Sequence, residues 1–129
     1  MASKNSNSIP LFLSGLLGFL AVALGAFGAH GLKSLVTPDL LVIFETGARY
    51  HLIHAVVLLG LSLSGKLSES KSLRFGFWSI VIGILIFSGS LYILTLTGVR
   101  ILGAVTPFGG VALLLGWASI AYSAFSKKE

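Results

Sequence analysis

The sequence contains no cysteine. That excludes disulfides, thiolate catalysis and cysteine-based metal sites, and leaves the redox compartment undetermined. Charge is equally scarce. Charged residues make up 10% of the chain, against about 25% in a typical soluble domain. The acidic residues are Asp39, Glu45, Glu69 and Glu129, four in all. None falls mid-way along an apolar run, which argues against an acidic relay for protons or cations. Motifs for phosphate and dinucleotide binding are also missing. GAFGAHG at 25–31 is glycine-rich, but it lies in an apolar run and follows no strand, so it fails the context a dinucleotide fingerprint requires. Ser88-Gly89-Ser90 lacks the flanking pattern of a nucleophile elbow. No enzyme activity is expected.

What is abundant is apolar material. Hydrophobic residues are 55% of the 129 and the mean hydropathy is +0.98. A water-soluble core could not hide so much apolar surface, so the lipid bilayer is the expected solvent. The net charge of +5 raises the question of nucleic acid. The charges sit in short clusters between apolar runs, however, and read as topology signals. No nucleic-acid partner is expected.

Four apolar runs approach or exceed the ~20 residues that cross a ~30 Å hydrocarbon core. They predict an all-α chain, a single membrane domain over residues 1–129 with helices at about 9–30, 38–65, 73–97 and 106–126. Thr37-Pro38-Asp39 offers a start for the second helix, with Thr37 as N-cap and proline at the first helical position. Thr106-Pro107 either kinks a fourth helix that begins near Ile101 or, as preferred, starts it, with Thr106 as N-cap and residues 98–105 as a connection at the membrane edge. The first run competes with a cleaved signal peptide ending near Ala26-Phe27-Gly28, but it is longer than the usual 7–15-residue apolar region. Lys4, Lys66, Lys71, Arg74, Lys127 and Lys128 fall on one side of four spans. Lys33, Arg49 and Arg100 fall on the other. The positive-inside rule then places both termini in the cytoplasm.

Small residues recur at 3–4 spacing, which keeps them on one helix face. The first helix carries Ser14, Gly18, Ala21, Gly25 and Gly28, and the fourth carries Gly109, Ala112, Gly116, Ser119 and Ser123. Gly76, Ser79, Gly83 and Ser90 form a similar track on the third. Such tracks let helix backbones approach closely in lipid. They read as seams of a tight antiparallel four-helix bundle, with a homodimer surface as the alternative use of one seam.

The stretch ETGARYHLIHAVVLL at 45–59 is the polar anomaly. Glu45 and Arg49 stand four apart and are expected to pair along one helix face at the membrane interface. Tyr50 and His54 stand four apart roughly on the opposite side, with His51 nearby. At its depth His54 should face the protein interior and find a partner, with Ser88, Ser90, Tyr92 and Thr106 as the candidates. His30 ends the first helix on the same outer side, so three histidines could converge on a metal, a haem or a transferable proton. No carboxylate stands at a supporting spacing. A hydrogen-bonded structural His54 is the preferred reading, and no cofactor or metal is expected.

Four stretches together carry a family resemblance: LGAFGAHGL at 24–32, Tyr50-x-x-x-His54, FSGSLY at 87–92, and TPFGG followed by GW within 106–117. They resemble the domain-of-unknown-function 423 family, small bacterial inner-membrane proteins with transmembrane protein 256 as an animal relative. The resemblance covers nearly the whole chain. It implies a four-helix integral membrane protein without an established activity. It maps onto Gly25, Ala26, Gly28, His30, Tyr50, His54, Ser88, Gly89, Ser90, Tyr92, Thr106, Pro107, Gly109, Gly110 and Trp117. Where the family commonly has an amide after the tyrosine, this chain has His51, which weakens any site that requires His51.

On the four-span topology His30, Tyr50, His54, Ser88, Ser90, Tyr92 and Thr106 gather toward the outer leaflet as the candidate functional cluster. The leading expectation is a non-enzymatic multi-pass protein of the bacterial inner membrane, an accessory or assembly subunit of a larger membrane complex or a homo-oligomer. The alternatives are a small oligomeric transporter or channel, and a histidine-based metal- or haem-handling protein.

Overall fold

The computed structural model describes residues 7–127, so Lys4, Lys128 and Glu129 lie outside the described residues. Four α-helices make up most of it: α1 (Ser8–His30), α2 (Pro38–Leu63), α3 (Lys71–Thr97) and α4 (Thr106–Ser123). Short 3-10 segments at Leu32–Ser34 and Arg100–Ala104 join α1 to α2 and α3 to α4. All four helical spans are long and apolar enough to cross a membrane.

The ends have local causes. Ser70 caps α3, its hydroxyl accepting the Leu73 N–H at 3.2 Å, as N-cap serines do. Gly98 ends α3 in the left-handed region at φ 72°, its N–H reaching the Leu94 carbonyl at 2.7 Å. Glycine adopts that conformation without a steric penalty. Pro38 opens α2 after an extended Thr37. Thr37 holds the N-cap position as expected but makes no side-chain cap bond, and the N-cap assignment of Thr106 needs correction. The Thr37 hydroxyl donates to the Asp39 carboxylate and not back to the helix backbone. Thr106 is the first helical residue of α4 and Val105 the residue before it. The Thr106 hydroxyl is drawn away to Ser90 and to the Leu102 carbonyl.

The helices pack as sequence neighbours, α1 on α2, α2 on α3 and α3 on α4. Among the described residues, no close backbone approach joins α1 to α4. The middle helix α3 is the hub. Half of its apolar stretch is buried, against 17% for α1 and for α4. Leu17, Leu58, Phe77, Ile80, Ile84 and Leu113 form the apolar centre.

Glycines set the closest approaches. A Cβ at Gly109 would stand 2.3 Å from the Phe87 backbone nitrogen, and one at Gly116 would stand 2.4 Å from Ile80. Gly83 meets Leu113 and Gly28 meets the Phe44 ring, at 2.6 and 2.7 Å. Gly18 and Gly25 differ from the expected packing role: nothing lies within 4 Å of a Cβ built on either. Ser14, Ala21 and Gly28 of the same track are buried against the chain, so the space is local to these two half-buried glycines. Gly76, part of the expected α3 track, lies against α4, and Gly47, which the sequence did not single out, lies against α3.

Candidate functional site

His54 sits on the buried side of α2, 5% exposed. Its Nδ1 lies 2.6 Å from the Tyr50 carbonyl one turn earlier. Its Nε2 lies 3.0 Å from the indole nitrogen of Trp117 on α4. An indole N–H can only donate, so Nε2 accepts. The proton must then reside on Nδ1, which donates to the Tyr50 carbonyl. This neutral imidazole has both nitrogens engaged, and it ties α2 to α4 where their backbones do not meet closely. The Tyr50 ring stacks on it at a centroid distance of 6.0 Å and also packs on Phe87 at 4.7 Å.

None of the four partners expected for His54 reaches it. Ser88 donates to the Gly47 carbonyl of α2 at 2.7 Å. Ser90 bonds Thr106 at 2.6 Å, joining α3 to α4. The Tyr92 hydroxyl meets Nδ1 of His51 at 2.9 Å, joining α3 to α2. His51 is 3% exposed, and its buried Nε2 has no hydrogen-bond partner among the described residues. His30 is exposed at the end of α1. The seven candidate residues therefore do not converge on one point. They are distributed over separate pairwise bonds, with His30 outside them.

The same pattern extends beyond the expected residues. Ser14 of α1 bonds Ser62 of α2 at 2.9 Å. Ser79 of α3 donates to the Ala112 carbonyl of α4 at 2.7 Å. Thr95 of α3 donates to the Leu40 carbonyl of α2 at 3.2 Å. Every sequence-adjacent helix pair is thus stapled by at least one polar side chain. In hydrocarbon such bonds contribute about 0.6 kcal/mol each on average, and up to ~2 kcal/mol.

Sequence reasoning missed Trp117 and His51 as members of this network. Trp117 carried a usable signal. An indole N–H on an otherwise apolar span needs an acceptor, and the imidazole of His54 is one of few side-chain acceptors at that depth.

Glu45 and Arg49 are both exposed, and the expected ion pair between them is not formed. The ion pair found among the described residues is Asp39 with Arg100, at 2.7 Å. It links the first turn of α2 to the segment after α3. Its partners are 58% and 63% exposed, so solvent screens it and it adds little to stability.

Between α2 and α4, with α3 as floor, runs a groove of about 450 Å³ lined by Tyr50, His54, Phe87, Pro107, Gly110 and Trp117. It is mainly apolar, and its imidazole is already committed on both nitrogens. His54 offers no free lone pair to a metal, and it can exchange a proton only by breaking a staple. Among the described residues, no three His, Asp or Glu side chains stand close enough to hold a metal ion.

A family model described as "Protein of unknown function (DUF423)" matches residues 24–110. The chain belongs to the DUF423 family. Curated relatives cover nearly its whole length. It is 44% identical to the Bacillus subtilis UPF0382 membrane protein YwdK over 88% of this chain and 94% of that protein. It is 42% identical to a UPF0382 membrane protein of Haemophilus influenzae, over 92% and 95%. It is 39% identical to the Escherichia coli UPF0382 inner membrane protein YgdD, over 92% and 91%. No solved structure matches the chain.

Proposed function

We propose that this DUF423 chain is a non-enzymatic protein of the bacterial inner membrane that acts through assembly, as an accessory subunit of a larger membrane complex or as a homo-oligomer. It sits there as an antiparallel four-helix unit with both termini cytoplasmic. One observation carries the reading: five of the seven polar side chains expected to form a site are spent on stapling helices to one another. His54, Ser88, Ser90, Tyr92 and Thr106 each bond another helix. An imidazole with both nitrogens engaged, as in His54, has neither a free lone pair nor a free N–H to offer a substrate.

Other features support the same reading. Lys66, Lys71, Arg74 and Lys127 cluster on the side assigned to the cytoplasm, as the positive-inside rule requires. The name of the Escherichia coli relative places that protein in the inner membrane. The open space beside Gly18 and Gly25 is room that another helix can occupy at close range.

Native mass spectrometry of the tagged protein, extracted gently from its own membrane, tests this. A reproducible heterologous partner or a defined homo-oligomer is expected. A monomer with no partner at any extraction strength would overturn the proposal.

A further inference from the structure

The unpaired charges of α2 point to a specific partner surface. Pro38–Leu63 is 26 residues long, about 39 Å at 1.5 Å per residue. The hydrocarbon core is ~30 Å thick, so the helix exceeds it by about 9 Å. Glu45 and Arg49 lie about 10 and 16 Å from the Pro38 end. Even if the whole excess projects beyond that end, Glu45 lies at the edge of the hydrocarbon layer and Arg49 about 7 Å inside it. Both are exposed, and neither has an ion-pair or hydrogen-bond partner among the described residues. Ionisable side chains at membrane depth normally face the protein interior and pair. Here they face outward.

The face they occupy is regular. Glu45, Arg49, Leu52, Val56, Leu59 and Leu63 are spaced 4-3-4-3-4, and all six are exposed. That is the 3.5-residue repeat of a knobs-into-holes helix seam, presented to the outside of the molecule. We infer that this face of α2 is the contact surface for a second copy of the same chain, with Glu45 of each copy paired to Arg49 of the other. This rests on the assembly reading above and names its partner.

The geometry suits a two-fold dimer whose copies share one membrane orientation. Helical side chains lean toward the N-terminus, so Arg49 reaches back to the level of Glu45 on the facing helix. Two-fold symmetry makes the contact reciprocal. Two opposite charges are thereby paired twice, while Leu52, Val56, Leu59 and Leu63 interdigitate deeper in the bilayer.

The absence of cysteine makes the test clean. Single-cysteine variants Leu52→Cys and Val56→Cys of the full chain are oxidised in native membranes, with Ile82→Cys on the exposed face of α3 as control. Disulfide dimers are expected at 52 and 56 and not at 82. In the Val56→Cys background, Glu45→Arg or Arg49→Glu alone should reduce crosslinking about tenfold, and the exchanged pair should restore it. No dimer at 52 and 56, equal dimer at 82, or single charge reversals without effect would each overturn the proposal. A monomeric chain that still captures a heterologous partner in native mass spectrometry would sink this dimer and leave the assembly reading standing.

Discussion

The two helix pairs at the ends of the chain are built on the same small-residue pattern and use it differently. Between α3 and α4, Gly83, Gly109 and Gly116 each leave space that a Cβ would overfill, and Ser79 and Ser90 staple the contact. Between α1 and α2, Gly28 alone among the glycines of the α1 track meets a side chain at that range, the Phe44 ring. Gly18 and Gly25 lie open, and the pair is held by Ser14 and Ser62. Glycine spacing therefore marks a face that another helix can approach. It does not say whether that helix belongs to the same chain.

The largest effect should come from filling the tight seam. Gly109→Ala puts a methyl against the Phe87 backbone, which cannot swing aside, and should cost about 2–4 kcal/mol. Gly18→Ala meets nothing within the chain and should be neutral or stabilising by up to ~1 kcal/mol, because alanine favours the helix. Thermal unfolding in detergent micelles compares the two, and equal losses would erase the distinction between the seams.

Next in size is the α2–α4 bridge. Trp117→Phe removes the indole donor and His54→Leu removes the acceptor, and each should cost about 1–2 kcal/mol. The double variant should cost less than the sum, with a coupling of about 0.6–1.7 kcal/mol. Additive losses would mean that the bond contributes nothing.

His51→Leu should cost up to about 1 kcal/mol, because it leaves the half-buried Tyr92 hydroxyl without its partner. His51→Asn should cost less, because an amide can still bond that hydroxyl. The smallest effect should be Asp39→Asn, a slight loss that diminishes with added salt, since the Arg100 pair is exposed.

How far the molecule was legible follows from which forces decide each feature. Spans can be read because length and apolarity are properties of one segment. Ser70, Gly98 and Pro38 mark helix ends because capping is local. Partner choice is not local. Thr106 bonds Ser90, seven residues short of the α3 terminus, so α4 begins about 10 Å below that end. The 3-10 segment Arg100–Ala104 fills the difference. This offset brings Trp117 level with His54 and gives Thr106 to Ser90, and no single-helix pattern encodes it. The Glu45–Arg49 spacing permits an intrahelical pair, but both side chains stand unpaired on the outer face of α2.

The central claim is that the intramembrane histidine is a structural bridge, and nitrogen-15 NMR of selectively labelled histidine in lipid nanodiscs tests it most directly. The account predicts a neutral His54 with its proton on Nδ1, an Nε2 accepting a hydrogen bond that disappears in Trp117→Phe, and no change in either signal when zinc is added. A proton on Nε2, or an Nε2 signal displaced by zinc in the unaltered protein, would contradict it.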